Sequence, residues 1–213
     1  MSWWLEACQS PSESVLAQAL ARQSQLTKPT GSLSELESVA VTLASLQNTV
    51  KPKIDRPWIT IFAGDHGVME EKISAYPQAV TRQMLQNFAT GGACISVIAK
   101  EYQAKLQVID CGSVGEAYEY VGVERHCIRA GTANFAQTTA MTKAECEAAF
   151  ALGQKSVEDA IAYGADIYVA GEMGIGNTCS ASAVACFLLA EPAEKLTGVG
   201  TGIRTEQLIH KNR

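Results

Sequence analysis

The sequence predicts an α/β fold, a parallel sheet flanked by helices, and three observations predict it. The runs WITIFAGDHG (Trp58 to Gly67), LQVIDCG (Leu106 to Gly112) and DIYVAGEMG (Asp166 to Gly174) are short and apolar and end in small and polar residues. A buried parallel strand meets its loop in that way. Helical stretches separate these runs: Pro77 to Phe88, Gly91 to Lys100 and Thr142 to Tyr163, with Asn177 to Leu189 after the last. Strands that alternate with helices imply right-handed crossovers and a Rossmann-like arrangement, which binds ligands beyond the carboxyl ends of its strands. The third observation is what stands at those ends: Gly64-Asp65-His66-Gly67, Asp110-Cys111-Gly112 and Gly171-Glu172-Met173-Gly174 are all polar, glycine-bearing corners. They point to one shared site.

In chain order, residues 1–50 read as a helical segment that belongs to a smaller domain. Ser14 to Gln25 is rich in Ala, Leu and Gln, and Lys28-Pro29-Thr30-Gly31 is a turn. Ser32 with Glu35 predicts a capping box, and Leu33, Leu36, Val39, Leu43 and Leu46 fall on one helical face. Val50 to Pro57 is the linker, and residues 58–213 are expected to form the parallel α/β nucleotide-binding domain. On the helix from Pro77, the face of Val80, Met84 and Phe88 reads either as core or as an apolar wall for an aromatic base.

Of 213 residues, 47% are hydrophobic and 18% charged, against a usual charged share of roughly 25%. Such a chain has material for a core, which excludes disorder as its main state. Seventeen Lys and Arg against 22 Asp and Glu leave a net charge of -5, which argues against a nucleic-acid surface. No apolar run approaches the roughly 20 residues needed to cross a bilayer, and the N-terminus lacks the basic and apolar regions of a secretion signal. A cytoplasmic protein is expected, with its seven scattered cysteines reduced and buried as small hydrophobes. The three histidines, His66, His126 and His210, stand too far apart for a structural metal site.

Chemistry concentrates in AGEMGIGNTCSASA. A strand ends at Ala170; Gly171, Gly174 and Gly176 allow a tight turn and close approach to a ligand; Asn177-Thr178 opens a helix whose first amides suit a phosphate. The alternative is a glycine-rich turn that binds nothing. Glu172 beside it is placed to bond ribose hydroxyls or to stabilise positive charge on a sugar. Asp65-His66 is an acid–base candidate, or else Asp65 caps a turn and His66 packs. A second glycine turn, Gly198, Gly200 and Gly202, precedes a helix with Lys211, a phosphate partner or a solvated charge. A P-loop lysine and a G-x-S-x-G elbow are absent, as are the paired acids before Thr-Gly that a pyrophosphate-dependent phosphoribosyltransferase uses.

Four segments, in order, resemble a known family. Lys28-Pro29-Thr30-Gly31-Ser32-Leu33 with Leu36-Glu37, Ala63-Gly64-Asp65-His66-Gly67-Val68, Ser74-Ala75-Tyr76-Pro77-Gln78 with Asn87-Phe88 and Gly91-Gly92-Ala93, and Gly171 to Thr178 are similar to KPPGSLGRLE, ADHGV, its following segment and GEMGIGNTT of the nicotinate-nucleotide–dimethylbenzimidazole phosphoribosyltransferases. The resemblance implies transfer of a phosphoribosyl group from nicotinate mononucleotide to 5,6-dimethylbenzimidazole, without metal or cofactor, giving α-ribazole 5′-phosphate for cobalamin. It implies that Glu172, Gly174, Gly176, Asn177, Thr178, Gly202 and Lys211 contact the nucleotide and its phosphate. Asp65, Ser74, Tyr76 and Met84 are expected near the base. Cys179 stands where the family commonly has a second threonine. Members are longer; the resemblance places their general-base glutamate in a segment similar to RLGEGSGA that has no match up to Arg213, so Glu172 is expected to support catalysis and no residue is assigned as that base. A homodimer is implied for a complete chain. Two other readings remain, a truncated nucleotide-binding remnant without turnover and an unrelated oxidoreductase with a nucleotide cofactor.

Overall fold

The computed structural model describes residues 3–212. They fall into two compact units, Met1–Asp55 and Arg56–Arg213.

The first unit is a helical hairpin of α1 (Glu13–Gln25) and α2 (Glu35–Leu46). Ser12 caps α1 by accepting from the Val15 amide, and Val15 and Ala19 pack on Val41 and Ala44 of α2. The start of α2 departs from the expectation. Ser34, at φ +50°, precedes the helix and makes no side-chain cap; Ser32 lies in the preceding turn. Glu37 does the capping work instead, accepting from the Leu33 amide at 3.1 Å and pairing with Lys28 at 2.7 Å. The lysine of the turn thus recruits the acid two places beyond Glu35. The leucine stripe is not the buried face either: Leu33, Leu36, Val39 and Leu46 are exposed, and the hairpin closes on small side chains one position round.

The second unit holds β1 (Pro57–Gly64), α3 (Ala79–Thr90), α4 (Cys94–Glu101), β2 (Lys105–Gly112), β3 (Glu124–Arg125), α5 (Lys143–Tyr163), β4 (Ile167–Met173), α6 (Asn177–Leu189), α7 (Ala193–Leu196) and α8 (Thr205–Lys211). The sheet order is β3-β2-β1-β4 and every pairing is parallel. Moving from β1 to β2 runs one way across the sheet, and moving on to β4 runs the other way. Right-handed crossovers therefore put α3 and α4 on one face and α5 on the opposite face. Side-chain alternation along the strands agrees. Ile59, Ile61 and Ala63 of β1 and Val108 of β2 pack on Leu85, Phe88 and Ala99. The other face carries Trp58, Thr60 and Gln107, which meet α5 through polar bonds: the Gln107 side-chain carbonyl accepts from Thr60 at 3.0 Å and from Ser156 at 2.8 Å, and the Trp58 indole donates to Thr60 at 2.9 Å. Each of these buried groups has a partner, as a low-dielectric interior requires.

Three further expectations are corrected. Among the described residues β4 pairs with β1 alone and lies at the margin of the sheet, and Val169 in it is exposed rather than core. On α3 the buried residues are Thr81, Leu85 and Phe88, so the core face is turned from the Val80–Met84 line; Met84 sits half-buried against the core. All seven cysteines are free, but only Cys179 is buried, and Cys8, Cys94 and Cys127 are exposed. Among the described residues no helix is long and apolar enough to cross a membrane.

Candidate active site

The change of direction at β1 leaves a crevice beyond the carboxyl ends of the strands, where such sheets bind ligands. A cavity of about 280 Å³ occupies it, with Gly64 at the end of β1, Asp65 and His66 just after it, Cys111 and Gly112 at the end of β2, and Glu172 and Met173 at the end of β4. Asn177, the first residue of α6, closes one side, and Arg129, Met141 and Glu145 close another. The three corners that the sequence joins into one site do meet.

The loop that carries α6 is built by short range and long range together. Gly176 stands at φ +104° as the residue before the helix, a conformation that favours glycine, and a Cβ there would press on the His66 side chain at 3.3 Å. The Ile175 amide donates to Thr81 Oγ1 at 3.1 Å, and Thr81 donates to Asp65 Oδ1 at 2.7 Å. The second Asp65 oxygen accepts from the Val114 amide at 2.9 Å. Asp65 is 2% exposed, so its place on the cavity wall is structural: both oxygens tie the end of β1 to α3, to the glycine loop and to the loop after β2. Burial pushes its carboxyl above the usual range, against the pull of those hydrogen bonds.

His66 is held by both ring nitrogens. Nε2 bonds the Asn177 side-chain oxygen and Nδ1 bonds Ser180 Oγ at 3.0 Å. Because an amide oxygen only accepts, Nε2 donates, and the Asn177 amide group is fixed with its NH₂ turned away from the ring. Glu172 reaches solvent at the cavity rim. Partial loss of water there raises its carboxyl pKa, and His66 pulls it down.

On the other side of the α6 N-terminus, Lys211 Nζ donates to Thr178 Oγ1 at 3.3 Å and to the Gly198 carbonyl at 3.1 Å. His210 Nε2 bonds the Glu71 carbonyl at 2.8 Å and so anchors α8. Gly200, at φ +61°, lies against both groups; a Cβ there would stand 2.6 Å from Thr178 Oγ1 and 3.1 Å from Lys211 Nζ. Thr178, Gly200 and Lys211 are therefore one cluster. Gly202 packs on Tyr76, whose side chain is exposed, and the Tyr76 amide donates to Ser74 Oγ at 3.3 Å. Ser74, Tyr76 and Met84 do not line the central cavity; Met84 borders a separate shallow groove with Val80 and Asn87.

Two charged lining residues carry no functional signal of their own in the sequence, Glu145 and Arg129. Glu145 completes a capping box with Thr142 at the start of α5, which the pattern Thr142-x-x-Glu145 signals; those bonds lower its pKa. Arg129 stands in a loop with no pattern of its own. Among the described residues no group of three or more His, Cys, Asp or Glu is arranged to hold a metal ion.

Comparison with known proteins agrees with this architecture. The sequence signature of the phosphoribosyltransferase family matches residues 8–213. The nicotinate-nucleotide–dimethylbenzimidazole phosphoribosyltransferase of Pseudomonas fluorescens Pf-5 is 54% identical over 210 residues, covering 99% of this chain and 60% of that protein. Its counterpart in Pseudomonas aeruginosa PAO1 is 47% identical over 211 residues, with the same coverage. The crystal structure of CobT from Thermus thermophilus superposes with a TM-score of 0.87 at 47% identity, over 93% of this chain and 60% of that one. The chain thus spans about 60% of the length of the relatives it matches. With the signature, the identity and the parallel fold in agreement, the chain belongs to the phosphoribosyltransferase family of the nicotinate-nucleotide–dimethylbenzimidazole type.

Proposed function

We propose that the chain carries the substrate-binding region of an enzyme that transfers the phosphoribosyl group of nicotinate mononucleotide to 5,6-dimethylbenzimidazole. The products are α-ribazole 5′-phosphate, destined for the lower ligand of cobalamin, and nicotinate. In the reaction a benzimidazole nitrogen attacks the anomeric carbon while the bond to the pyridinium nitrogen breaks, and that bond's electron pair neutralises the departing ring. The attacking base then loses its N–H proton; the resemblance assigns the acceptor of that proton to a glutamate outside residues 1–213. The observation that carries the reading is the glycine turn into α6. It presents Glu172 and Asn177 to an apolar cavity and Thr178, with Lys211, to the adjoining turn.

In this reading Lys211, Thr178 and the Gly198–Gly202 turn hold the phosphate. Asn177, fixed by His66, donates to the ribose side, and Glu172 offsets positive charge as it builds on the sugar. Asp65 keeps the corner rigid, and Ser74, Tyr76 and Met84 serve the base from the segment before and along α3. Action in the cytoplasm and assembly as a homodimer follow from the family resemblance and belong to the same proposal. Incubation with both substrates, followed by chromatography and mass spectrometry, tests it. Release of nicotinate with formation of α-ribazole 5′-phosphate supports transfer; bound but unaltered nucleotide reduces the chain to binding alone.

A further inference from the structure

We propose that Arg129 selects a pyridine ring bearing a carboxylate over one bearing an amide in the central cavity. The inference rests on the nucleotide reading above and names the part of the leaving group that this chain recognises. It starts from a charge imbalance. Three carboxyl groups, Asp65, Glu145 and Glu172, line a small, mostly apolar cavity, and Arg129 is the only lysine or arginine among the lining residues. A fourth carboxylate, brought in by nicotinate, is repelled unless a cation meets it.

Arg129 is placed to do so. Its guanidinium makes one loose ion pair, Nη1 to Glu145 Oε1 at 3.7 Å, and donates no hydrogen bond among the described residues. Glu145 is committed elsewhere, because it takes the Thr142 amide at 2.6 Å as part of the α5 cap. The side chain is 45% exposed, so an incoming ligand reaches it. A planar fork of donors with unfilled valences matches a carboxylate in two-point fashion. An amide presents its own N–H donors to that fork and offers one acceptor instead of two. Nicotinate joined to ribose is a zwitterion, and the cavity offers a partner for each end: Glu172 for the ring's positive charge and Arg129 for the carboxylate.

Calorimetric titration of the chain with nicotinate mononucleotide and with nicotinamide mononucleotide tests the assignment. The chain is expected to favour the carboxylate form by about tenfold or more, the worth of a charge-assisted hydrogen bond. Arg129→Gln is expected to weaken that form roughly 10- to 100-fold while changing the amide form by less than about twofold, which erases the preference. Glu145→Gln keeps a capping side chain but frees the guanidinium, and is expected to raise the preference. A preference unchanged in Arg129→Gln overturns the assignment, as does equal weakening of both nucleotides. If neither nucleotide binds the unaltered chain, the nucleotide reading itself falls, and the role of Arg129 with it.

Discussion

Thr81→Val tests the tie between the glycine loop and the end of β1. Valine has nearly the shape of threonine, and Thr81 is fully buried, so packing changes little. What is lost is one hydroxyl with two duties. Asp65 loses a donor, worth about 1.5–3 kcal/mol where the acceptor is charged, and the Ile175 amide is left unpaired, at about 1–3 kcal/mol. One hydroxyl serves both bonds, so the two losses are not fully additive, and about 3–5 kcal/mol is expected for the second unit. Urea unfolding followed by tryptophan fluorescence, with Trp3 and Trp4 replaced by Phe so that Trp58, buried in β1, is the sole reporter, reads that unit. The pH dependence has a definite sign. The folded Asp65 pKa lies above its unfolded value, so its ionisation opposes folding, and stability falls as pH rises through the window between the two. Losing the Thr81 donor widens that window, so the variant loses more at neutral pH than in acid. A loss below about 1 kcal/mol, or a loss that grows on acidification, refutes the reasoning.

Three other outcomes follow from the site. Lys211→Met is expected to weaken nicotinate mononucleotide roughly 10- to 100-fold and to leave nicotinate riboside, which lacks the phosphate, nearly unchanged in the same titration. Gly200→Ala places a methyl group between Thr178 and Lys211 at a left-handed φ; a stability loss of about 1–2 kcal/mol is expected in denaturant, together with weaker nucleotide binding. Glu172→Gln is expected to lower nucleotide affinity and to remove an acid-side decline in affinity that, in the unaltered chain, sets in above the usual glutamate range because its pKa is raised. Identical affinity–pH curves for the two proteins contradict that role.

The sheet was legible because its strands are short apolar runs that end in glycine and acid, and α6 because small residues follow a glycine turn. What escaped the sequence depends on pairing across the chain. β3 is two residues long, Glu124 and Arg125, and only its position beside β2 makes it a strand. At Ser32 a local capping pattern lost to the Lys28–Glu37 pair. The motif that singles out Glu172 and Asn177 also brings both to the cavity wall. Asp65 stands at the corner its strand-end motif marks, but its engagement with Thr81 and Val114 arises from contacts 16 and 49 residues away. Arg129 follows no spacing rule, since a loop brings it to the cavity.

The most direct test of the central claim, a nucleotide seated on the glycine turns into α6, is a phosphorus NMR titration of nicotinate mononucleotide with the chain and with Lys211→Met. The phosphate resonance is expected to shift saturably with the unaltered chain and to respond far less with the variant. A resonance unmoved by the unaltered chain, or moved equally by both proteins, contradicts it.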